Sequence, residues 1–107
     1  MQLPMEITFH DMAASPALES SINEWTAKLE HINPLQRCAV TIDMPHKHHR
    51  HGRTFRVQLT VTLPGHAIAV TRTGHDNAHL AVSDAFRAAR RQLIDFLAQR
   101  REARPVA

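Results

Sequence analysis

From Thr54 to Leu63 this chain alternates without a break. Phe55, Val57, Leu59, Val61 and Leu63 are apolar, and Thr54, Arg56, Gln58, Thr60 and Thr62 between them are polar. Successive side chains of an extended chain point to opposite faces, so this run specifies a strand buried on one face and wet on the other. Such a strand needs neighbours, and the flanking sequence provides them. Pro64-Gly65 marks a turn, after which Ala67 to Thr73 reads as a strand with Ile68 and Val70 facing inward. Upstream, Cys38, Val40, Ile42 and Met44 alternate with Ala39, Thr41 and Asp43. Short connections make these three strands expected antiparallel neighbours.

Two helices and one more strand complete the pattern. Met5, Ile7 and Phe9 alternate with Glu6, Thr8 and His10, a half-buried strand. Ser15-Pro16 supplies a helix N-cap followed by proline at the first helical position. Leu18, Ile22, Trp25, Leu29 and Ile32 then form one apolar stripe, and Asn33-Pro34 stops the helix. Its outer face sets Glu19, Glu24 and Glu30 against Lys28, a mildly acidic surface. Gly74 is expected to end the sheet, and Asp76 or Asn77 to cap a long helix running to about Arg101. The stripe of that helix is Ala78, Val82, Ala85, Phe86, Ala89, Leu93, Phe96 and Leu97. Arg87, Arg90, Arg91, Arg100 and Arg101 lie off it.

The order β-α-β-β-β-α predicts an α+β fold, a four-stranded sheet with two helices packed on one face. The opposite sheet face is polar and open to solvent. The expected division is one domain over residues 1–102 and a short frayed tail over 103–107.

Charge narrows the class of partner. Residues 1–45 carry two cations against six acids, net −4, and residues 46–107 carry eleven against four, net +7. Arginine outnumbers lysine eleven to two, and its planar fork suits phosphates and base edges. A small, polarised, arginine-rich domain points towards nucleic acid. The single cysteine, Cys38, excludes an internal disulfide framework and fits a reducing cytosol. Without a signal-peptide pattern or a long apolar run, a cytoplasmic protein with no membrane partner is expected.

Catalytic patterns are missing. The three glycines, at 52, 65 and 74, make no phosphate-cradling loop, and no serine sits in a strand-to-helix elbow. Cys38 falls on the inward side of a strand as a small core residue. His10-Asp11 and His75-Asp76 lie at element ends, where such residues commonly cap and turn. The expectation is a protein that is not an enzyme, with no cofactor and no small-molecule substrate.

The densest chemistry lies in Pro45-His46-Lys47-His48-His49-Arg50-His51-Gly52, read as the exposed tip of a hairpin. In an extended chain His46 and His48 fall on one side and His49 and His51 on the other, so either pair has chelating spacing. Zinc and nickel sites need neutral imidazoles, usually with an acid or thiolate to offset charge. Here Lys47, Arg50 and Arg53 crowd the loop and every carboxylate lies outside it. Phosphate contact by Lys47, Arg50, Arg53 and Arg56 is the favoured reading, and no metal site is expected. The four histidines, with reference pKa values near roughly 6.5, would add pH-sensitive RNA contacts. A metal site or a solvated loop are the other readings.

The element order, the Met5-Glu6-Ile7-Thr8-Phe9 strand, and the helix carrying Asp84-Ala85-Phe86-Arg87-Ala88-Ala89-Arg90-Arg91-Gln92-Leu93 resemble one family over about residues 4–101. It is the ribosome hibernation-promoting factor and ribosome-associated translation inhibitor family, in its single-domain form. The histidine-rich hairpin is similar to one branch of it. The resemblance implies a double-stranded-RNA-binding-like fold and a place on the small ribosomal subunit. There the domain would block the messenger and transfer RNA channel in stress or stationary phase, by occlusion. It also implies phosphate contacts from Arg87, Arg90 and Arg91, with Arg53 and Arg56 as further positions. The chain departs from the family in its net acidic first helix and in Asn77 and His79, where an acidic cap and a tyrosine are usual. No C-terminal dimerisation domain like that of longer members is expected. A free RNA-binding stress protein and a metal-binding module built on the histidine loop are the competing functions.

Overall fold

The apolar alternation of three consecutive segments builds most of a four-stranded sheet. The computed structural model describes residues 3–44 and 54–102. The strands are β1 (Met5–His10), β2 (Arg37–Asp43), β3 (Phe55–Leu63) and β4 (His66–His75), and the helices are α1 (Pro16–Ile32) and α2 (Ala78–Glu102). The sheet order is β1-β2-β3-β4. β2 pairs antiparallel with β3, and β3 with β4, as their short connections require. β1 pairs with β2 in parallel, Met5 opposite Cys38 and His10 opposite Asp43, so the sheet is mixed. A helix between two adjacent strands returns the chain to the same end of the sheet, which is why this pair runs parallel.

Local chemistry sets the helix ends. The Ser15 hydroxyl accepts the Leu18 N–H at 3.2 Å, Pro16 is the first helical residue, and the Asn33 N–H closes the last turn on the Leu29 carbonyl. At α2 the cap is Asn77. Its Oδ1 accepts the N–H groups of both His79 (2.9 Å) and Leu80 (3.1 Å), two donors that a helix start leaves without intrahelical partners.

Two expectations need correction. β4 does not stop before Gly74 but runs on to His75. Between the pairs Val57–Arg72 and Phe55–His75, β4 holds Thr73 and Gly74 where β3 holds only Arg56. The extra residue makes a bulge, and Gly74 takes it up at a φ of 96°, a region that favours glycine.

The second correction concerns the core. Both helices and the inward face of the sheet contribute to one cluster that includes Ile22, Leu29, Val40, Ile42, Val57, Leu59, Val61, Phe86 and Leu93. Trp25 and Ile32 are only partly buried at its margin, and Thr26 is buried instead. The Thr26 hydroxyl donates to the Ile22 carbonyl at 2.9 Å and lies 3.5 Å from Cys38 Sγ, so its polarity is satisfied inside. Ala81 and Ala88 are also buried, letting α2 lie close to its neighbours where larger residues would hold it off.

Candidate nucleic-acid interface

The arginines of this protein divide by element. Those on the sheet are held by carboxylates. Arg37 pairs with Glu6, Arg56 grips Asp43 through Nε at 3.1 Å and Nη2 at 2.6 Å, and Arg72 Nε lies 3.4 Å from Asp84. Asp43 is 5 % exposed, so the two-pronged Arg56 bond is what satisfies a nearly buried charge. Asp84 also bonds His75 Nε2 at 2.9 Å. That hydrogen bond, with the Arg72 charge beside it, holds the Asp84 carboxyl below its ordinary pKa against a smaller opposing effect of burial. His75 thus bonds across to α2, whereas His10 Nδ1 lies 3.2 Å from its sequence neighbour Asp11.

The helix cations are different. Among the described residues no carboxylate forms an ion pair with Lys28, Arg87, Arg90, Arg91, Arg100 or Arg101, and all six are exposed. Lys28 of α1 and Arg87 of α2 converge on one indole. Lys28 Nζ stands 4.7 Å and the Arg87 guanidinium carbon 5.9 Å from the Trp25 ring centre. Trp25 in turn stacks on Phe86, centroids 6.0 Å apart at 15°. The cations are thereby drawn together at the α1–α2 seam without being neutralised.

Beyond Trp25 the seam opens into two shallow grooves that share Ile32. One, about 550 Å³, is lined by Ala27, Lys28, His31, Ile32 and Arg90. The other, about 510 Å³, is lined by Ile32, Asn33, Leu97, Arg100 and Arg101. Both have an apolar floor and basic rims. On the far side of α2, His66 lies flat on Phe96, ring centres 3.9 Å apart.

Of the positions expected to meet phosphate, Arg87, Arg90 and Arg91 lie together and exposed on α2, the adjacent Arg90 and Arg91 one helical turn after Arg87. Arg56 stands on the sheet in its pair with Asp43. Lys47, Arg50, Arg53, His46, His48, His49 and His51, and the tail over 103–107, lie outside the described residues. Lys28 was hidden among the glutamates of α1. Its signal was the Trp25-to-Lys28 step of three residues, with Arg87 beside Phe86 on the facing helix. Among the described residues no three His, Cys, Asp or Glu side chains cluster as metal ligands, and no helix is long and apolar enough to cross a membrane.

A family model described as Sigma 54 modulation protein / S30EA ribosomal protein matches residues 5–101. No curated protein matches the chain in sequence. Among solved structures, the fold is similar to the N-terminal domain of Protein Y from Thermus thermophilus. The TM-score is 0.73 at 16 % identity, covering 90 % of this chain and 99 % of that one. A ribosomal subunit interface protein from Coxiella burnetii is similar to the same degree. Its TM-score is 0.72 at 19 % identity, with the same two coverages.

Proposed function

Since the chain belongs to the Sigma 54 modulation protein / S30EA ribosomal protein family, whose members are ribosome-associated hibernation and modulation factors, we propose that it binds the small ribosomal subunit through its helical face. Seated there, it blocks the messenger and transfer RNA channel under stress or in stationary phase. The action is occlusion without chemistry, and its place is the cytoplasm, where ribosomes are.

One observation carries this reading, the contrast between paired arginines on the sheet and helix cations that form no ion pair among the described residues. Arg37 and Arg56 are held by carboxylates of the sheet and Arg72 by Asp84 of α2, so each strand arginine is paired. Lys28, Arg87, Arg90, Arg91, Arg100 and Arg101 remain as exposed charge on the helices. A phosphate backbone is attracted to the exposed arginines of α2, five against the three acids of that helix, and gains by releasing its counterions there. The acidic character of α1 does not oppose this. Its Lys28 stands at the seam shared with Arg87, and among the described residues none of Glu19, Glu24 and Glu30 forms an ion pair with it.

The test is sedimentation of the protein with isolated small subunits at low salt. Wild type is expected in the subunit peak. Arg87→Glu, Arg90→Glu and Arg91→Glu combined should leave the protein at the top of the gradient, with an unchanged circular dichroism spectrum. Wild type that stays at the top, or a triple variant that still co-sediments, overturns the proposal.

A further inference from the structure

Two large apolar side chains stand exposed among the described residues, Leu80 at 54 % and Ile94 at 40 %. Both are on α2, and their spacing is regular. Leu80, Arg87, Ile94 and Arg101 follow one another at intervals of seven residues. Seven residues are close to two helical turns, so these four lie along nearly one line of the helix surface. Arg90 and Leu97 fall beside that line, three residues after Arg87 and Ile94, where they border the grooves shared with α1. Apolar and cationic side chains therefore alternate along the whole outer stripe, and the groove beneath has Ile32 and Leu97 as its floor.

An intact A-form duplex has little use for such a surface. It presents phosphates and 2′-hydroxyls, while its bases stay stacked and its major groove is too narrow to enter. An unpaired strand uses both parts, because its bases are free to settle on apolar surface as its phosphates track the charges. The other fitting chemistry, an acidic amphipathic peptide helix, needs a continuous apolar trough to take several anchors from one face. Here a cation follows each apolar position, and the floor is only Ile32 and Leu97. From Arg90 to Arg101 the seam runs about 16 Å along the helix, room for a few nucleotides.

We propose that the α1–α2 seam is a single-stranded RNA site. It seats unpaired bases on Ile32, Leu97 and Ile94 and their phosphates on Lys28, Arg90 and Arg101. This rests on the reading that the helical face meets RNA, and adds which form of RNA it selects.

The test is fluorescence anisotropy with a labelled RNA 12-mer, single-stranded or annealed to its complement, at one salt concentration. Wild type is expected to bind the single strand at least tenfold more tightly. Ile94→Gln and Leu97→Ala together should remove most of that preference by weakening the single strand, leaving duplex binding within twofold and the melting temperature of the protein recorded alongside. Ile94→Gln alone, at an exposed position, should show part of the same loss if the double variant folds poorly. Equal or tighter binding of duplex by wild type overturns the proposal. So does an equal loss of both RNAs in Ile94→Gln, or displacement of the single strand by an acidic peptide at equal concentration. Wild-type co-sedimentation with small subunits, run in parallel, separates the two readings. If subunits bind while the single strand shows no preference over duplex, only the seam proposal falls.

Discussion

Arg56 and Asp43 face each other across β3 and β2, and the guanidinium holds both carboxylate oxygens. The pair stands at the end of the two strands from which residues 45–53 depart. Asp43 is almost fully buried, whereas the Arg56 side chain keeps 39 % exposure, so the two are not equivalent in their cost of removal. Arg56→Ala strands a carboxylate away from water and is expected to destabilise the fold by about 2–3 kcal/mol. Asp43→Ala with Arg56→Ala should recover part of that loss, because no buried charge remains. Urea unfolding of the single and double variants checks this, with non-additivity as the readout.

The salt dependence of RNA binding should distinguish the two groups of arginines. Replacing Arg87, Arg90 and Arg91 by alanine is expected to lower the slope of log K against log salt by about 2–3, close to one per lost phosphate contact. Arg37→Ala, at a position already paired with Glu6, should leave the slope within about half a unit of wild type. An equal change for both groups would show that the division of charge between sheet and helices does not matter to the ligand.

Loss of the Asn77 cap has a defined cost. Its Oδ1 serves two backbone donors at the start of α2, and Asn77→Ala is expected to destabilise by about 1 kcal/mol. Asn77→Asp should retain the cap and add a favourable charge at the helix N-terminus. Urea midpoints at unchanged slope are the measurement.

Cys38 should resist alkylation in the native state. It is completely buried, and burial raises its thiol pKa while the Thr26 contact opposes the rise only in part. Thiolate is the reactive form, so both exposure and ionisation are against the reagent. Labelling at pH 8 is expected to follow the urea unfolding curve. Rapid labelling of folded protein would mean that the β1–β2 side opens without global unfolding.

The Asp84 cluster gives a pH dependence of known sign. The folded-state pKa of Asp84 lies below the ordinary value because His75 donates to it and Arg72 stands near. The stability it adds is therefore present above the unfolded-state pKa and is lost as pH falls through the lower folded value. With 40 % of its side chain exposed, the effect should be about 0.5 kcal/mol. Comparing wild type with Asp84→Asn in urea at pH 6 and at pH 3 should show a difference at the first and little at the second.

Most of the architecture was legible because it depends on period. The ten-residue alternation through Leu63, the Ser15-Pro16 start and the Asn33-Pro34 stop each follow from local rules, and each is where it was expected. Thr26 was not legible, since its burial depends on a hydroxyl bonding back to Ile22 and touching a cysteine on another element. The continuation of β4 through Gly74 was missed for a related reason. A glycine that ends a strand and one that bulges it look alike until the partner strand is in place. At the site, the basic character of α2 was plain in the sequence, but the convergence of Lys28 and Arg87 on Trp25 belongs to the packing of two helices and has no local signature.

The parallel pairing of β1 with β2 also has a consequence in time. A ribosome delivers β1 first, yet its only sheet partner among the described residues lies beyond the whole of α1, with Met5 waiting for Cys38. The hairpin of β3 and β4 closes between Leu63 and His66 as soon as both are made, whereas β1 must first close the longer loop before any contact rewards it. The first-made of the four strands is thus secured by a costlier closure than the β3–β4 hairpin.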